Sequence, residues 1–193
     1  MRQLGEIVHL QVQTAPLKYG PWGHKSYHPE HIRRVDRVSL SSRGVLGRDG
    51  AEAVADVHHQ DHVLRKNKHG KNGVSILFTR HYEEMQERFG DHLYPGVAGE
   101  TILVRSEHRI YEGDLRTGVI VRHGDGEARL ELSKIAEPCV EFSRYASCRP
   151  ARLKTDAAVR EALDFLRGGT RGYYLAYAGP EMEIALGDVV YVP

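Results

Sequence analysis

Frequent punctuation limits the folds open to this chain. Short strand-like stretches recur from Gly5 to the last residues, and glycines or turn dipeptides interrupt them repeatedly. The first, GEIVHLQVQT over residues 5–14, sets Ile7, His9 and Gln11 against Val8, Leu10 and Val12, the alternation of a half-buried strand. Further strands are expected over 35–42, 74–79, 101–106, 108–116, 117–124, 127–138, 171–179 and the closing 182–193. Two segments carry helical spacing instead. In 80–90, Tyr82, Met85 and Phe89 fall at three- and four-residue steps before Gly90. In 154–169, Thr155 or Asp156 caps a face of Val159, Leu163 and Leu166, with Gly168 and Gly169 past its end. The segments between read as loops: 17–31, expected to anchor through Trp22 and Tyr27, and 43–63, whose glycines argue against regular structure. Seven or eight strands with two helices imply a mainly β, α+β fold with a closed or nearly closed β-barrel. With neither a repeat nor a linker, residues 1–193 read as a single domain.

Composition narrows the function classes. A chain of 193 residues with 27 Lys and Arg against 26 Asp and Glu has a net charge of +1, without the basic footprint that nucleic acid demands. No stretch approaches the ~18 apolar residues of a membrane-spanning helix, and the N-terminal residues lack an uninterrupted apolar leader, so no membrane association is expected and the cytoplasm is the expected compartment. The two cysteines, Cys139 and Cys148, are too few for a disulfide scaffold and lack the Cys-x-x-Cys spacing of structural zinc. Cys139 follows Pro138 at the end of an expected strand, a setting that fixes its backbone and presents its thiol. On residue type alone it reads sooner as an inert buried thiol.

Four motifs in order change that balance. Ser42–Asp49 (SRGVLGRD) forms a turn of basic, glycine and aspartate residues, and His69-Gly70 precedes the strand from Val74. Tyr94–Thr101 (YPGVAGET) precedes the strand from Ile102. Glu137-Pro138-Cys139 is followed by Gly169–Tyr174 (GTRGYY) and the closing Leu186–Val190 (LGDVV). Together these resemble the MOSC domain, named for the C-terminal domain of molybdenum-cofactor sulfurases and found also as stand-alone bacterial proteins. The chain departs from that pattern at Thr101, where the family usually has asparagine, and in the His-Gly-Gly region at 69–73; the His-rich stretch 50–71 is not explained by it.

The resemblance implies a barrel of the MOSC, pyruvate-kinase-barrel-like type and a protein handling sulfur or the molybdenum cofactor, molybdopterin, through Cys139. The cysteine acts either as a sulfur carrier or as a molybdenum ligand. The first role requires a cysteine desulfurase as partner, since the chain has no pyridoxal-phosphate domain. The second implies a reductase of N-hydroxylated substrates fed by a redox partner. Arg171, Thr170 and Gly172 are the expected grip on the anionic part of the cofactor, with Arg43 and Arg48 closing the far side. Glu100 is expected to tie its loop together by accepting backbone N–H bonds, and Cys148 reads as a loop thiol without a role. Two readings of other classes stand beside this one: a binding module without turnover, and a metal hydrolase. The latter would use His58 and His62, one helical turn apart, with Asp56 or Asp61 adding an oxygen ligand and His69 beyond.

Overall fold

The computed structural model describes residues 1–66, 73–151 and 155–193. Chain order is β1 (Arg2–Gln13), β2 (Lys18–Tyr19), β3 (Ser26–Tyr27), β4 (Ile32–Arg34), β5 (Arg37–Ser41), β6 (Gly44–Asp49), β7 (Glu52–Ala55), β8 (Val74–Phe78), α1 (Thr79–Phe89) and β9 (Ile102–Val104). It continues through β10 (Val119–His123), β11 (Gly126–Ile135), α2 (Val140–Ala146), α3 (Ala157–Leu166), β12 (Tyr173–Ala176), β13 (Met182–Ala185) and β14 (Val189–Val192). Among the described residues, seven strands close into a mixed barrel in the order β14-β10-β11-β12-β8-β9-β1, with β1 returning to β14. Among the described residues only β8 and β9 run parallel. A second sheet, β13-β5-β6-β7, packs Val38, Leu40, Val45 and Ile184 into the same apolar cluster as the barrel strands. Outside the barrel, α1, α2 and α3 bury Tyr82, Met85, Phe142 and Leu166 against Leu77 and Leu103.

Closure depends on β1 serving three neighbours in turn. Residues 2–6 pair with β14, 7–10 with β9 and 11–13 with β4, and the register slips between Gln3 and Gly5. Gly5 makes the slip possible. Its φ is +149°, and a Cβ there would lie 1.7 Å from the Arg105 carbonyl oxygen.

Three sequence expectations change. Residues 43–63 are not all loop, because β6 and β7 pair there as a hairpin. The glycine that obscured β6, Gly47, is required by packing: a Cβ would lie 2.8 Å from Val35 Cγ1 and 3.0 Å from Val12 Cγ1. The strand expected over 108–116 is instead a short 3-10 helix at Glu112–Leu115, closed by the Asp114 carboxylate accepting from the Tyr111 N–H at 2.9 Å. Trp22 does not anchor its loop and is 85% exposed, whereas Tyr27 is buried.

The polar side chains at the end of β1 are taken up by a loop. Gln11 Nε2 donates to the Gly96 carbonyl at 2.7 Å and Gln13 Nε2 to that of Gly99 at 2.6 Å. Tyr27 donates to Val97 O at 2.7 Å and Arg171 to Ala98 O at 2.8 Å, so every carbonyl from 96 to 99 is held by a side chain from elsewhere. The Tyr82 hydroxyl accepts the Gly96 and Ala98 N–H groups at 2.9 and 3.0 Å and donates to the Glu100 carboxyl at 2.8 Å. Glu100 therefore braces the loop through Tyr82 as well as through the chain.

Two outcomes follow from this packing. Gly5→Ala combines a disfavoured φ with a backbone collision and should cost roughly 3 kcal/mol, read as a lower urea midpoint at unchanged slope. Burial, the largest influence on Glu100, pushes its carboxyl up from 4.5 to about 7. The folded chain thus keeps a proton that the unfolded chain releases. The stability Glu100 contributes is complete below 4.5 and is lost as the pH rises through about 7. Glu100→Gln, with no proton to lose, should gain thermal stability relative to the native chain between about pH 5 and about pH 8.

Candidate functional site

Beneath the braced loop lies a cavity of about 300 Å³. Its wall combines Ala98, Gly99 and Glu100 of the loop with Tyr27, Ser75, Ala136, Cys139, Arg171, Tyr174 and His58, and Lys18 and Lys66 stand at its exposed rim. Among the described residues, no group of three or more His, Cys, Asp or Glu side chains is arranged to hold a metal ion.

Cys139 sits on this wall, but not at a strand end. β11 stops at Ile135, and Cys139 is the N-cap of the short helix α2, its Sγ accepting from the Phe142 N–H at 3.5 Å. Local signals for this cap are weak, because cysteine is not among the favoured capping residues and α2 spans only 7 residues. The thiol is half-buried, which leaves it accessible from the cavity.

Arg171 shares the wall. Its guanidinium lies 4.3 Å from the centroid of the Phe142 ring and 5.9 Å from that of Tyr27, and Nη2 is committed to Ala98 O. Nε is enclosed and has no hydrogen-bond partner among the described residues. Burial pulls the guanidinium down, yet the attraction of Cys139, Tyr27 and Tyr174 outweighs it and holds the group above its ordinary range. Burial pushes the Tyr27 phenol up, so it remains a neutral donor to Val97. Arg171 thus brings a fixed positive charge to the wall that carries the thiol.

The other expected ligands of the anion lie elsewhere. Thr170 is buried: its hydroxyl accepts from Arg109 Nη2 at 2.7 Å and donates to the Phe165 carbonyl at 3.1 Å, and Arg109 is also paired with Glu84. Gly172 is structural, since a Cβ would lie 2.5 Å from the Ile76 carbonyl oxygen. Arg43 is exposed and paired with Asp61, and Arg48 reaches Ser39 Oγ at 3.2 Å and Glu181 at 3.7 Å. Neither arginine lines the cavity, because the hairpin β5–β6 turns both outward onto surface carboxylates.

The histidine cluster also rearranges. Residues 56–66 form turns rather than a helix, which removes the i, i+4 alignment. His62 spends both ring nitrogens internally, Nε2 3.1 Å from Thr14 O and Nδ1 accepting from Leu64 N at 3.0 Å. His58 turns instead to the cavity wall, with Nδ1 2.8 Å from Asp56 Oδ1. His69 and Gly70 lie outside the described residues. Cys148 lies in a separate groove with Arg88 and Glu161, its Sγ 3.6 Å from His92 Nε2, and both cysteines are free thiols.

Lys18, Lys66, Tyr27 and Tyr174 were not legible as site residues. Lys18 and Tyr27 pair across the short β2–β3 ladder, Lys66 and Tyr174 come from distant stretches of chain, and the tertiary fold brings all four to one wall.

The fold and the sequence both match known proteins. YuaD from Bacillus subtilis superposes with a TM-score of 0.61 at 13% identity, covering 98% of this chain and 96% of that one. YiiM from Geobacillus stearothermophilus gives 0.56 at 15% identity, covering 97% and 74%. YiiM from Escherichia coli gives 0.53 at 14% identity, covering 83% and 64%. At such identities these likenesses establish the fold. No curated protein sequence matches the chain significantly. Among the described residues no helix is long and apolar enough to cross a membrane. The sequence profile of the MOSC domain matches residues 56–191, most of the chain, and the chain therefore belongs to the MOSC domain family, whose members are associated with the molybdenum cofactor.

Proposed function

We propose that the protein handles the molybdenum cofactor, or sulfur destined for it, through Cys139, with Arg171 neutralising the anionic part of the ligand. The observation that carries this reading is the meeting of a half-buried thiol and a guanidinium on one cavity wall. The donor set suits the group. Sulfur is a soft metal ligand and a sulfane-sulfur acceptor; a guanidinium is the preferred partner of phosphate oxygens; and the rim lysines add positive charge at the entrance.

In this reading Cys139 Sγ engages the ligand from the N-terminus of α2, and the Phe142 N–H that reaches the sulfur fixes its rotamer. Arg171 orients the anion while its bond to Ala98 O keeps it in place. The rings of Tyr27 and Phe142 wall off water behind the guanidinium and strengthen its field. The bound cofactor would supply metal-centred redox chemistry or accept the sulfur. Electrons or sulfur would come from a partner protein, a redox protein or a cysteine desulfurase.

The test is retention of molybdenum and pterin by protein expressed with molybdate. The native chain should keep both, Cys139→Ser should lose most of each, and Arg171→Gln should bind at least about tenfold more weakly, the loss of one charge-assisted hydrogen bond. The reading fails if the native chain retains no cofactor and Cys139 takes up no sulfane sulfur from a desulfurase.

A further inference from the structure

Asp56 is a buried carboxylate with a fixed orientation. Its Oδ2 accepts the Gln13 N–H at 2.7 Å, which ties it to β1, and its Oδ1 accepts the His58 N–H at 2.8 Å. The same Oδ1 lies 2.8 Å from His58 Nδ1. The neighbouring Val57, fully buried, donates its N–H to Gln13 O at 2.8 Å, so the turn carrying His58 is pinned on both sides of the strand end. A carboxylate at Nδ1 keeps a proton on that nitrogen and leaves Nε2 as the nitrogen that exchanges protons.

Three histidines of this chain show the contrast. His81 is buried, with Nε2 3.0 Å from Ile110 O, and burial pulls it down to about 4, so it is a neutral packing residue. His62 has both nitrogens engaged. His58 alone of the three lines the cavity, and its Nε2 has no hydrogen-bond partner among the described residues.

We propose that His58, oriented by Asp56, is the proton-transferring residue of the Cys139 cavity and acts on the ligand that Cys139 and Arg171 hold. The inference rests on the proposed function for the identity of that ligand. Imidazolium gives its Nε2 proton to a ligand oxygen or sulfur and becomes a neutral imidazole with the remaining proton on Nδ1, facing Asp56. Solvent returns the proton through the open rim. Among the described residues, the other charged or titratable groups facing this space are Lys18, Lys66 and Arg171 on the cationic side and Glu100 and Cys139 on the acidic side, with the phenols of Tyr27 and Tyr174.

The test needs no cofactor. In cofactor-free protein carrying Cys148→Ser, Cys139 is alkylated in parallel with iodoacetate, which is anionic, and iodoacetamide, which is neutral. The ratio of the two rates cancels the thiolate fraction and reports the charge that an anion meets beside the sulfur. A proton on His58 beside the sulfur should hold the ratio about threefold higher at acid than at alkaline pH. Glu100, raised to about 7, also changes charge between those conditions, so the comparison is repeated with Glu100→Gln, where the difference should persist. His58→Gln should abolish the difference, and Asp56→Asn, which frees the ring from its carboxylate, should reduce it. A difference unchanged by His58→Gln overturns the proposal, and one unchanged by Asp56→Asn overturns the orienting role of the carboxylate. If Asp56→Asn does not fold, His58→Gln decides alone. Loss of the cofactor reading would leave this measurement intact, so the two failures are distinguishable.

Discussion

The Tyr82 hydroxyl is the contact on which the rest of the site depends. It stands inside the protein, accepts two backbone N–H groups of the loop from Pro95 to Glu100 and gives its own proton to the Glu100 carboxyl. A buried loop is costly because its polar backbone has no water to turn to. Here the Tyr82 hydroxyl takes the N–H side, and Gln11, Gln13, Tyr27 and Arg171 take the carbonyl side. The loop can therefore form a rigid cavity wall without regular secondary structure.

That arrangement gives several residues two duties. Arg171 closes the loop through Ala98 and presents its charge beside Cys139. Tyr27 holds Val97 and packs edge-on to Phe142, the residue whose N–H reaches the Cys139 sulfur. Asp56 anchors its turn to β1 and orients His58. The chemistry-bearing groups are thus held by the contacts that also stabilise the fold, and rigid placement of a thiol, a guanidinium and an imidazole around one small space needs no dedicated scaffold.

Some of this was legible in the residues. The alternation of Ile7, His9 and Gln11 with their apolar neighbours marks β1, and Asp156 before Val159 and Leu166 marks α3, where the carboxylate does accept the Val159 N–H at 3.0 Å. Both signals are local, since strand period and capping chemistry act within a few residues. What covers the polar half of β1 was not legible, for a related reason. Period alone says that Gln11 and Gln13 face away from the apolar side, and it is silent on whether water or a protein loop lies there. β6 was hidden because its glycine answers to Val12 and Val35, distant in sequence, rather than to a turn of its own.

A mainly β chain with helical segments, a barrel of the MOSC kind and one thiol, Cys139, in a motif can be read from the residues in order, because periodicity, caps and motifs are properties of neighbouring residues. The company that thiol keeps is set by the three-dimensional fold. It withdrew Thr170, Gly172, Arg43 and Arg48 into packing and surface ion pairs, turned His62 inward, and brought His58, Lys18, Lys66 and Tyr174 to the wall of Cys139 and Arg171. Direction and distance between remote side chains follow from barrel closure, which arises from the long-range pairing of β1 with β14 and β9 and leaves no local mark.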